Sequence, residues 1–256
     1  MIKTAPLLRT EDLSRHFGGV KALSRLDLAV SEGLIQAVIG PNGAGKTTLF
    51  NVISGVLSET SGKVFFKEEE ITGLPTHAIA RRGVTRTFQN LQLFSEMTVL
   101  ENVMVGMHLR SRGGFFASAF KFPWVLREEK RIREESLRWL DFVGMDEFFY
   151  QTAGSLPFGK QRILEMARAL ALQPSLLMLD EPAAGLNIRE TEEMAGLILR
   201  IRESGITVLL VEHDMDLVMG ISDQVTVVDQ GSKIAEGVPE TVRNDDKVLK
   251  AYLGEE

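Results

Sequence analysis

Cysteine is absent from the 256 residues of this chain, so neither a disulfide framework nor thiolate chemistry contributes to its function. Basic residues do not predominate, and the formal net charge of −6 argues against a broad nucleic-acid surface. Long apolar runs are also missing, because the uncharged run 205–211 is far too short to span a bilayer. The N-terminus lacks the apolar core of a secretory signal. Any membrane role is therefore expected to come through a partner.

A glycine-rich segment, residues 40–47, matches the phosphate-binding pattern G-x-x-x-x-G-K-[ST] without a gap. Glycines let the backbone approach a polyphosphate, and successive N–H groups form an anion-binding nest. Lys46 adds a positive charge for the terminal phosphates, and the Thr47 hydroxyl is a ligand for Mg²⁺. The residues expected to bind nucleotide are Gly40, Pro41, Asn42, Gly43, Ala44, Gly45, Lys46, Thr47 and Thr48. An ordinary glycine-rich turn is the alternative.

The flanking patterns support a phosphate-binding loop. Residues 34–39 form a short apolar run typical of a buried strand. Helical spacing follows, at Leu49, Val52 and Ile53. Strand, glycine-rich loop and helix, in that order, are the context that the motif requires.

The remaining chain predicts the fold class. Predicted strands fill its first part, predicted helices dominate from about residue 95 to 150, and both alternate from residue 160 onward, which is typical of parallel βα units. The predicted helices in that last part are 161–172, 189–202 and 215–221, and the strands are 175–179, 206–211 and 224–228. We expect a single α/β domain: a P-loop NTPase core with an N-terminal antiparallel β subdomain and an inserted α-helical subdomain. The approximate bounds are 1–90 and 160–256 for the first two parts, and 91–159 for the helical insert.

Hydrolysis of a bound nucleotide needs a metal anchor and a group that activates water. An apolar run beginning at residue 176 ends in Asp180 and Glu181, at the strand end where ligands bind in α/β sheets. Asp180 is placed to hold Mg²⁺, and Glu181 to act as the general base that positions the attacking water. A strand that merely ends in two surface acids is the alternative.

Together these segments resemble the ATP-binding cassette (ABC) ATPase family over nearly the whole chain. The resemblance implies that Phe17 stacks on adenine, that Gln89 ligates Mg²⁺ or holds the attacking water, and that His213 is the switch histidine near the γ-phosphate. A core phenylalanine, an exposed loop glutamine and a structural histidine are the alternatives. The resemblance assigns catalytic roles to Glu181, His213, Gln89 and Lys46, and metal binding to Thr47, Gln89 and Asp180.

Residues 156–160 match the family signature, usually L-S-G-G-Q, which precedes a helix. The resemblance implies that this segment lies at a dimer interface, where Gly159 binds the nucleotide of the partner cassette in trans. Pro157 replaces the usual serine and lacks both a hydroxyl and an N–H. We interpret Pro157 as changing the strength of this contact with the partner's nucleotide without abolishing it. A proline that only shapes the turn is the alternative. Asn187 replaces the usual aspartate of the D-loop, residues 184–187.

Longer stretches are similar to the ATPase subunits of branched-chain amino acid importers, at residues 86–89, 179–187, 212–223 and 251–255. This resemblance implies a homodimer or a heterodimer with a second ABC ATPase, two transmembrane permease subunits, an external substrate-binding protein and no nucleic acid. It also implies a peripheral location on the cytoplasmic face of the inner membrane. The aromatic segment 115–124 is a candidate docking region for a permease, and the core of the helical subdomain is its alternative role.

Functions of other classes remain open at this point. A soluble ABC ATPase of DNA or translation processes would usually carry long coiled coils, large insertions or two cassettes, whereas this chain has one cassette and no long heptads. A P-loop kinase would not explain the signature helix or His213. A nucleotide-sensing module without hydrolysis is the non-enzyme alternative, and an ATPase assay separates it from the enzyme.

Overall fold

The computed structural model describes residues 5–107 and 123–253. The chain forms two compact units, one made of 1–86 with 175–256 and the other of 87–174. The segment predicted as a helical insert, 91–159, lies inside the second unit, which extends further at both ends. Within the described ranges, no helix combines the length and apolarity needed to cross a bilayer.

The first unit contains two sheets and six helices among its described residues. Its strands are β1 (Leu8–Phe17), β2 (Val20–Leu26), β3 (Ala29–Val30), β4 (Ile35–Ile39), β5 (Ser61–Phe66), β6 (Glu69–Glu70), β7 (Val84–Arg86), β8 (Leu176–Asp180), β9 (Thr207–Val211), β10 (Gln224–Asp229) and β11 (Ser232–Gly237). Its helices are α1 (Lys46–Ile53), α2 (Thr76–Arg81), α6 (Ile188–Glu203), α7 (Met215–Ile221), α8 (Pro239–Arg243) and α9 (Asp246–Leu253). Helices α3 (Val99–Met107), α4 (Pro123–Phe142) and α5 (Phe158–Leu170) belong to the second unit.

A six-stranded sheet in the order β11-β10-β4-β9-β8-β7 positions the candidate site. Its pairings are parallel except for the edge pair of β10 and β11. Strands β4, β8 and β9 are buried throughout, and their largely apolar sequences follow from having both faces covered. Their carboxyl ends therefore deliver the glycine-rich loop and the segments that follow Asp180 and Val211 to one edge of the sheet.

The second sheet is antiparallel, in the order β2-β1-β5-β6, with β3 also paired to β1. One hydrophobic cluster joins this sheet to α1 and to the parallel strands. In this cluster, Leu13 and Leu23 come from the antiparallel sheet, Phe50 and Ile53 from α1, and Met178 from β8. Because α1 is fixed on both sides, the loop in front of it has a rigid support.

The second unit is built from α3 (Val99–Met107), α4 (Pro123–Phe142) and α5 (Phe158–Leu170), with α3 packed against both other helices. Two short 3₁₀ turns, Asp146–Phe148 and Ala153–Ser155, lie between α4 and α5. The aromatic segment 115–124 falls outside the described residues, except for its last two positions, which begin α4. A docking role for that segment stays a prediction.

The predicted fold class is confirmed: the structure has a parallel α/β core, an N-terminal antiparallel sheet and a helical unit within the chain. The predicted strand and helix around the glycine-rich loop are observed as β4 and α1. The helix predicted at 215–221 has those bounds in the structure. Sequence periodicity missed the short elements β7 and α2 and the edge strand β11.

Candidate functional site

The glycine-rich loop is shaped by close approaches of other backbone segments. A Cβ atom on Gly40 would lie 1.9 Å from the carbonyl oxygen of Val228, and one on Gly45 would lie 2.3 Å from that of Ala22. Gly45 also has a φ of 105°, a conformation that favours glycine. No side chain caps α1, which begins at Lys46, so the N–H groups of its first turn remain available to an anion.

Replacing Gly40 by alanine is expected to weaken nucleotide binding more than tenfold and to lower the free energy of unfolding by about 3 kcal/mol. The reason is that the new methyl group would overlap the β10 backbone at Val228. Gly33→Ala is the matched control, since its φ is 75° but a Cβ there meets no heavy atom within 4 Å. Titration with a fluorescent ATP analogue and urea unfolding measure both effects. Equal binding by the two variants would contradict the steric argument.

Lys46 folds back over the loop that precedes it. Its Nζ donates hydrogen bonds to the carbonyl oxygens of Gly40, at 2.7 Å, and Pro41, at 3.0 Å. Burial lowers the pKa of Lys46, whereas the negative charges of Glu181 and Asp180 raise it. The ammonium group therefore lies within the field of both carboxylates and beside the anion-binding loop.

Asp180 and Arg86 form a buried ion pair that sequence reasoning did not predict. The Asp180 Oδ2 atom accepts a hydrogen bond of 2.6 Å from Arg86 Nη2, and the two side chains are only 2% and 5% exposed. Arg86 Nη1 also donates to Asn51 Oδ1 in α1, at 2.7 Å, and to Oγ of Ser54, the C-cap residue of α1, at 3.1 Å. Arg86 thus connects the carboxylate at the end of β8 to the helix that follows the loop.

The other oxygen of Asp180 fits a metal ion. Oδ1 is buried and accepts no hydrogen bond within the described part of the chain. A buried carboxylate oxygen without a partner is costly, and a hard divalent cation is a suitable partner for it. Thr47, expected as a second ligand, is exposed in the first turn of α1. Asp180 Oδ1 therefore fits a divalent cation such as Mg²⁺, and the binding of the ion stays a prediction.

Glu181 and His213 contact each other. Glu181 Oε1 lies 3.0 Å from His213 Nε2, which makes a hydrogen bond between the side chains that follow β8 and β9. The Glu181 backbone has a φ of 50°, and its N–H donates to the carbonyl oxygen of Val211 at 2.8 Å. A positive φ at a residue other than glycine is strained, and such strain concentrates at functional sites.

Asn187 serves as a local helix cap. Its Oδ1 accepts from the Glu190 N–H at 3.0 Å, and Glu190 Oε2 accepts from the Asn187 N–H at 3.0 Å, so the two residues form a capping box at the start of α6. The pattern N-x-x-E is readable in the sequence and could have indicated this role. The cap fixes the last residue of the predicted D-loop to a rigid helix.

In the second unit, Arg162 connects the Gln89 segment to the signature helix. Gln89 is exposed, and its carbonyl oxygen accepts a 2.8 Å hydrogen bond from Arg162 Nη2. Arg162 Nη1 also donates to the carbonyl oxygen of Phe88 at 3.3 Å. Arg162 lies in α5, whose first turn contains the buried Gly159. Burial raises the pKa of the neighbouring Glu165, and the charge of Arg162 lowers it.

Phe17 and Pro157 occupy exposed positions at the ends of secondary-structure elements. Phe17 ends β1 with 44% exposure, and the guanidinium carbon of Arg15 lies 4.6 Å from its ring centroid. This exposure excludes the alternative of a core phenylalanine, while stacking on a base stays a prediction. Pro157 is the N-cap of α5 and supplies no side-chain hydrogen bond to the first turn.

The structure brings the glycine-rich loop, Asp180, Glu181 and His213 to one sheet edge of the first unit. Gln89 and Gly159 belong to the second unit. Arg86 and Glu212 have side-chain contacts that no local pattern indicated, because their partners Asp180 and Ala183 come from distant parts of the chain.

Comparison with known proteins gives a consistent assignment. Residues 23–184 match the family model described as ABC transporter, and residues 232–256 match the one described as branched-chain amino acid ATP-binding cassette transporter. The chain is 48% identical over 251 residues to the high-affinity branched-chain amino acid transport ATP-binding protein BraF of Pseudomonas aeruginosa, covering 98% of each. It is 45% identical to the similarly described LivG of Escherichia coli, again covering 98% of each.

Solved structures agree with the sequence relatives. The ADP conformation of MJ1267, an ATP-binding cassette of an ABC transporter, is similar with a TM-score of 0.85 and 34% identity, covering 98% of this chain and 100% of that one. A nucleotide-free cassette from an ABC transporter has a TM-score of 0.84 and 34% identity, covering 97% of this chain and 99% of that one. With its phosphate loop, its paired acids and more than half of its length matched, the chain belongs to the ABC transporter family as an ATP-binding ATPase domain.

Proposed function

We propose that this chain is the ATP-hydrolysing subunit of an importer for branched-chain amino acids or similar small polar or amide substrates. The assignment of hydrolysis rests on the hydrogen bond between Glu181 and His213, beside the phosphate-binding loop. The match of residues 232–256 to the branched-chain amino acid family model and the names of the full-length relatives support the substrate class.

The residues present fit Mg²⁺ bound with the nucleotide. Asp180 through its buried Oδ1 and Thr47 through its hydroxyl are the proposed ligands. The role of Gln89 as a ligand stays a prediction. When bound, the ion would neutralise charge on the phosphates. Asp180 stays oriented for this role because Arg86 holds its other oxygen at 2.6 Å.

Hydrolysis is assigned to groups of this chain at the sheet edge. Loop N–H groups and Lys46 bind and orient the phosphates, and Phe17 stacks on the adenine. The Glu181 carboxylate accepts a proton from the attacking water. His213, hydrogen-bonded to that carboxylate, fixes its orientation and contacts the γ-phosphate. The two side chains therefore act as one unit in positioning the water.

The complete site requires a second cassette. Gly159 is proposed to bind the partner's nucleotide through its N–H and the dipole of α5, so ATP holds two cassettes together. The same chain, giving a homodimer, or a related ATPase, giving a heterodimer, supplies the second cassette. Two permease subunits in the membrane and an external binding protein complete the importer, with this chain on the cytoplasmic face.

Pro157→Ser is expected to change the ATPase rate by less than about tenfold, because the Gly159 N–H and the helix dipole already supply the clamp. The new hydroxyl would also cap α5, which should raise the free energy of unfolding by about 1 kcal/mol. Phosphate release and thermal unfolding measure the two effects. A rise in ATPase rate of several hundredfold would refute the interpretation of Pro157 as a modest tuning residue.

The proposal is tested by purifying the chain with its candidate permease from cells that express both. We expect co-purification in detergent and ATP hydrolysis that depends on Mg²⁺. Stable binding of ATP without any hydrolysis by the complex would favour a nucleotide-sensing module instead. Isolation of an active ATPase that never associates with a permease would favour a soluble ABC ATPase.

A further inference from the structure

Glu212 is a buried carboxylate between the two loops that carry Glu181 and His213. It is only 4% exposed, although it directly precedes a half-exposed histidine. Its Oε1 accepts a 2.7 Å hydrogen bond from the N–H of Ala183, in the loop 181–187 after β8. Its Oε2 accepts from the N–H of His213, at 2.8 Å, and of Asp214, at 3.4 Å, in the loop after β9.

These contacts are directional and use both carboxylate oxygens. Among the residues that the structure describes, Glu212 forms no ion pair, and its hydrogen-bond donors are backbone N–H groups. A buried carboxylate requires such donors, and the donors would in turn be left unsatisfied without it. An amide side chain of the same size has only one acceptor oxygen and can serve only one of the two loops.

Hydrogen bonds also hold both ends of the loop 181–187. The Glu181 N–H is bonded to Val211 at one end, and the Asn187 capping box fixes the other end to α6. The Ala183 N–H contact with Glu212 lies between these anchors. Glu212 therefore connects the middle of the loop directly to the His213 backbone, in addition to the Glu181–His213 hydrogen bond at the start of the loop.

We propose that Glu212 is a positioning residue that fixes His213 relative to Glu181 and transmits the position of loop 181–187 to the histidine. The inference rests on the proposed function, in which this loop faces a second cassette. Binding of the partner would then bias the Glu181–His213 pair, and hydrolysis would respond to closure of the dimer. ATP affinity itself depends on the phosphate loop, which Glu212 does not contact in the described structure.

The test compares the wild-type chain with Glu212→Gln, using Glu193→Gln on the exposed side of α6 as the matched control. We expect kcat for ATP hydrolysis to fall by about 10–100-fold in Glu212→Gln, because small displacements of a catalytic pair cost that much. The Kd for ATP should stay within about twofold, and Glu193→Gln should match the wild type in both quantities. A kcat within twofold of wild type for Glu212→Gln would overturn the proposal.

Amide hydrogen exchange in the nucleotide-free protein provides a readout that needs no ATPase activity. Protection of the Ala183 or His213 amide should fall by about tenfold in Glu212→Gln, while central amides of β4 and β8 stay protected. An equal loss of protection at Ala183, His213, β4 and β8 would mean general destabilisation and would overturn the positioning role. If exchange and kcat change as expected but the complex imports no branched-chain amino acid, the inference stands and the substrate assignment fails.

Discussion

Glu181→Gln is expected to reduce ATP hydrolysis by about 10²–10⁴-fold while leaving the Kd for ATP within about twofold of wild type. An amide cannot accept the proton of the attacking water. It has the size of the carboxylate and can still form a hydrogen bond with His213, which lies 3.0 Å away in the wild type. Nucleotide binding should persist because the phosphate loop, in front of α1, is unchanged.

Phosphate release under single-turnover conditions, together with titration by a fluorescent ATP analogue, measures both quantities. Glu193→Gln makes the same chemical change at a residue whose side chain is 43% exposed and paired with Arg189 on α6. It should retain wild-type hydrolysis. Unchanged turnover in Glu181→Gln would refute the assignment of Glu181 as the base, whatever the binding data show.

Arg86→Ala is expected to lower the free energy of unfolding by about 3–5 kcal/mol. Removal of the guanidinium leaves the Asp180 carboxylate buried without its partner and takes the hydrogen bonds from Asn51 and Ser54. That loss is a large part of the stability of an ordinary domain, about 5–15 kcal/mol in total. Urea unfolding followed by far-UV circular dichroism measures the change.

Arg82→Ala is the matched control. Arg82 pairs with Glu69 at 3.5 Å, but the two side chains are 39% and 71% exposed. An exposed pair of this kind contributes about 0–1 kcal/mol. Similar losses in the two variants would show that burial of the Arg86–Asp180 pair has no special energetic consequence.

A double replacement separates the contribution of the Arg86–Asp180 pair to stability from the role of Asp180 in hydrolysis. Arg86→Met combined with Asp180→Leu removes both charges from the buried position, and such apolar replacements are often neutral or stabilising. We expect the double variant to regain part of the stability lost in Arg86→Ala. The double variant should not hydrolyse ATP, since the proposed metal ligand is gone. Recovery of activity would contradict the role of Asp180.

The sequence predicted the parts of the site in which local pattern and function coincide. The loop preceding α1 and the acids ending β8 are contiguous motifs between strongly periodic segments, so both positions were readable before the structure. Helix α7 was predicted with its observed bounds, and the structure shows that Asp214 caps its start. Short elements such as β7, with three residues, offer too few positions to show a period.

The supporting contacts were not predictable, because each joins distant parts of the chain. Arg86 and Asp180 are 94 positions apart, and only the pairing of β7 with β8 brings them together. Gly40 was assigned to the loop by its motif, but the lack of space for a side chain at Gly40 is due to Val228, in β10. From its sequence environment, Glu212 would be taken for a surface acid. In the structure it accepts a hydrogen bond from Ala183, in the loop after β8. Charged residues are buried only where tertiary structure supplies their partners.

Uptake by reconstituted vesicles tests most directly whether ATP hydrolysis by this chain drives the import of branched-chain amino acids. Vesicles would contain the permease complex with either the wild-type chain or Glu181→Gln, ATP and Mg²⁺ on the side of the cassette, and the binding protein with radiolabelled leucine on the other side. We expect ATP-dependent accumulation of leucine with the wild type and none above the ATP-free background with Glu181→Gln. Equal accumulation by both proteins would contradict this expectation.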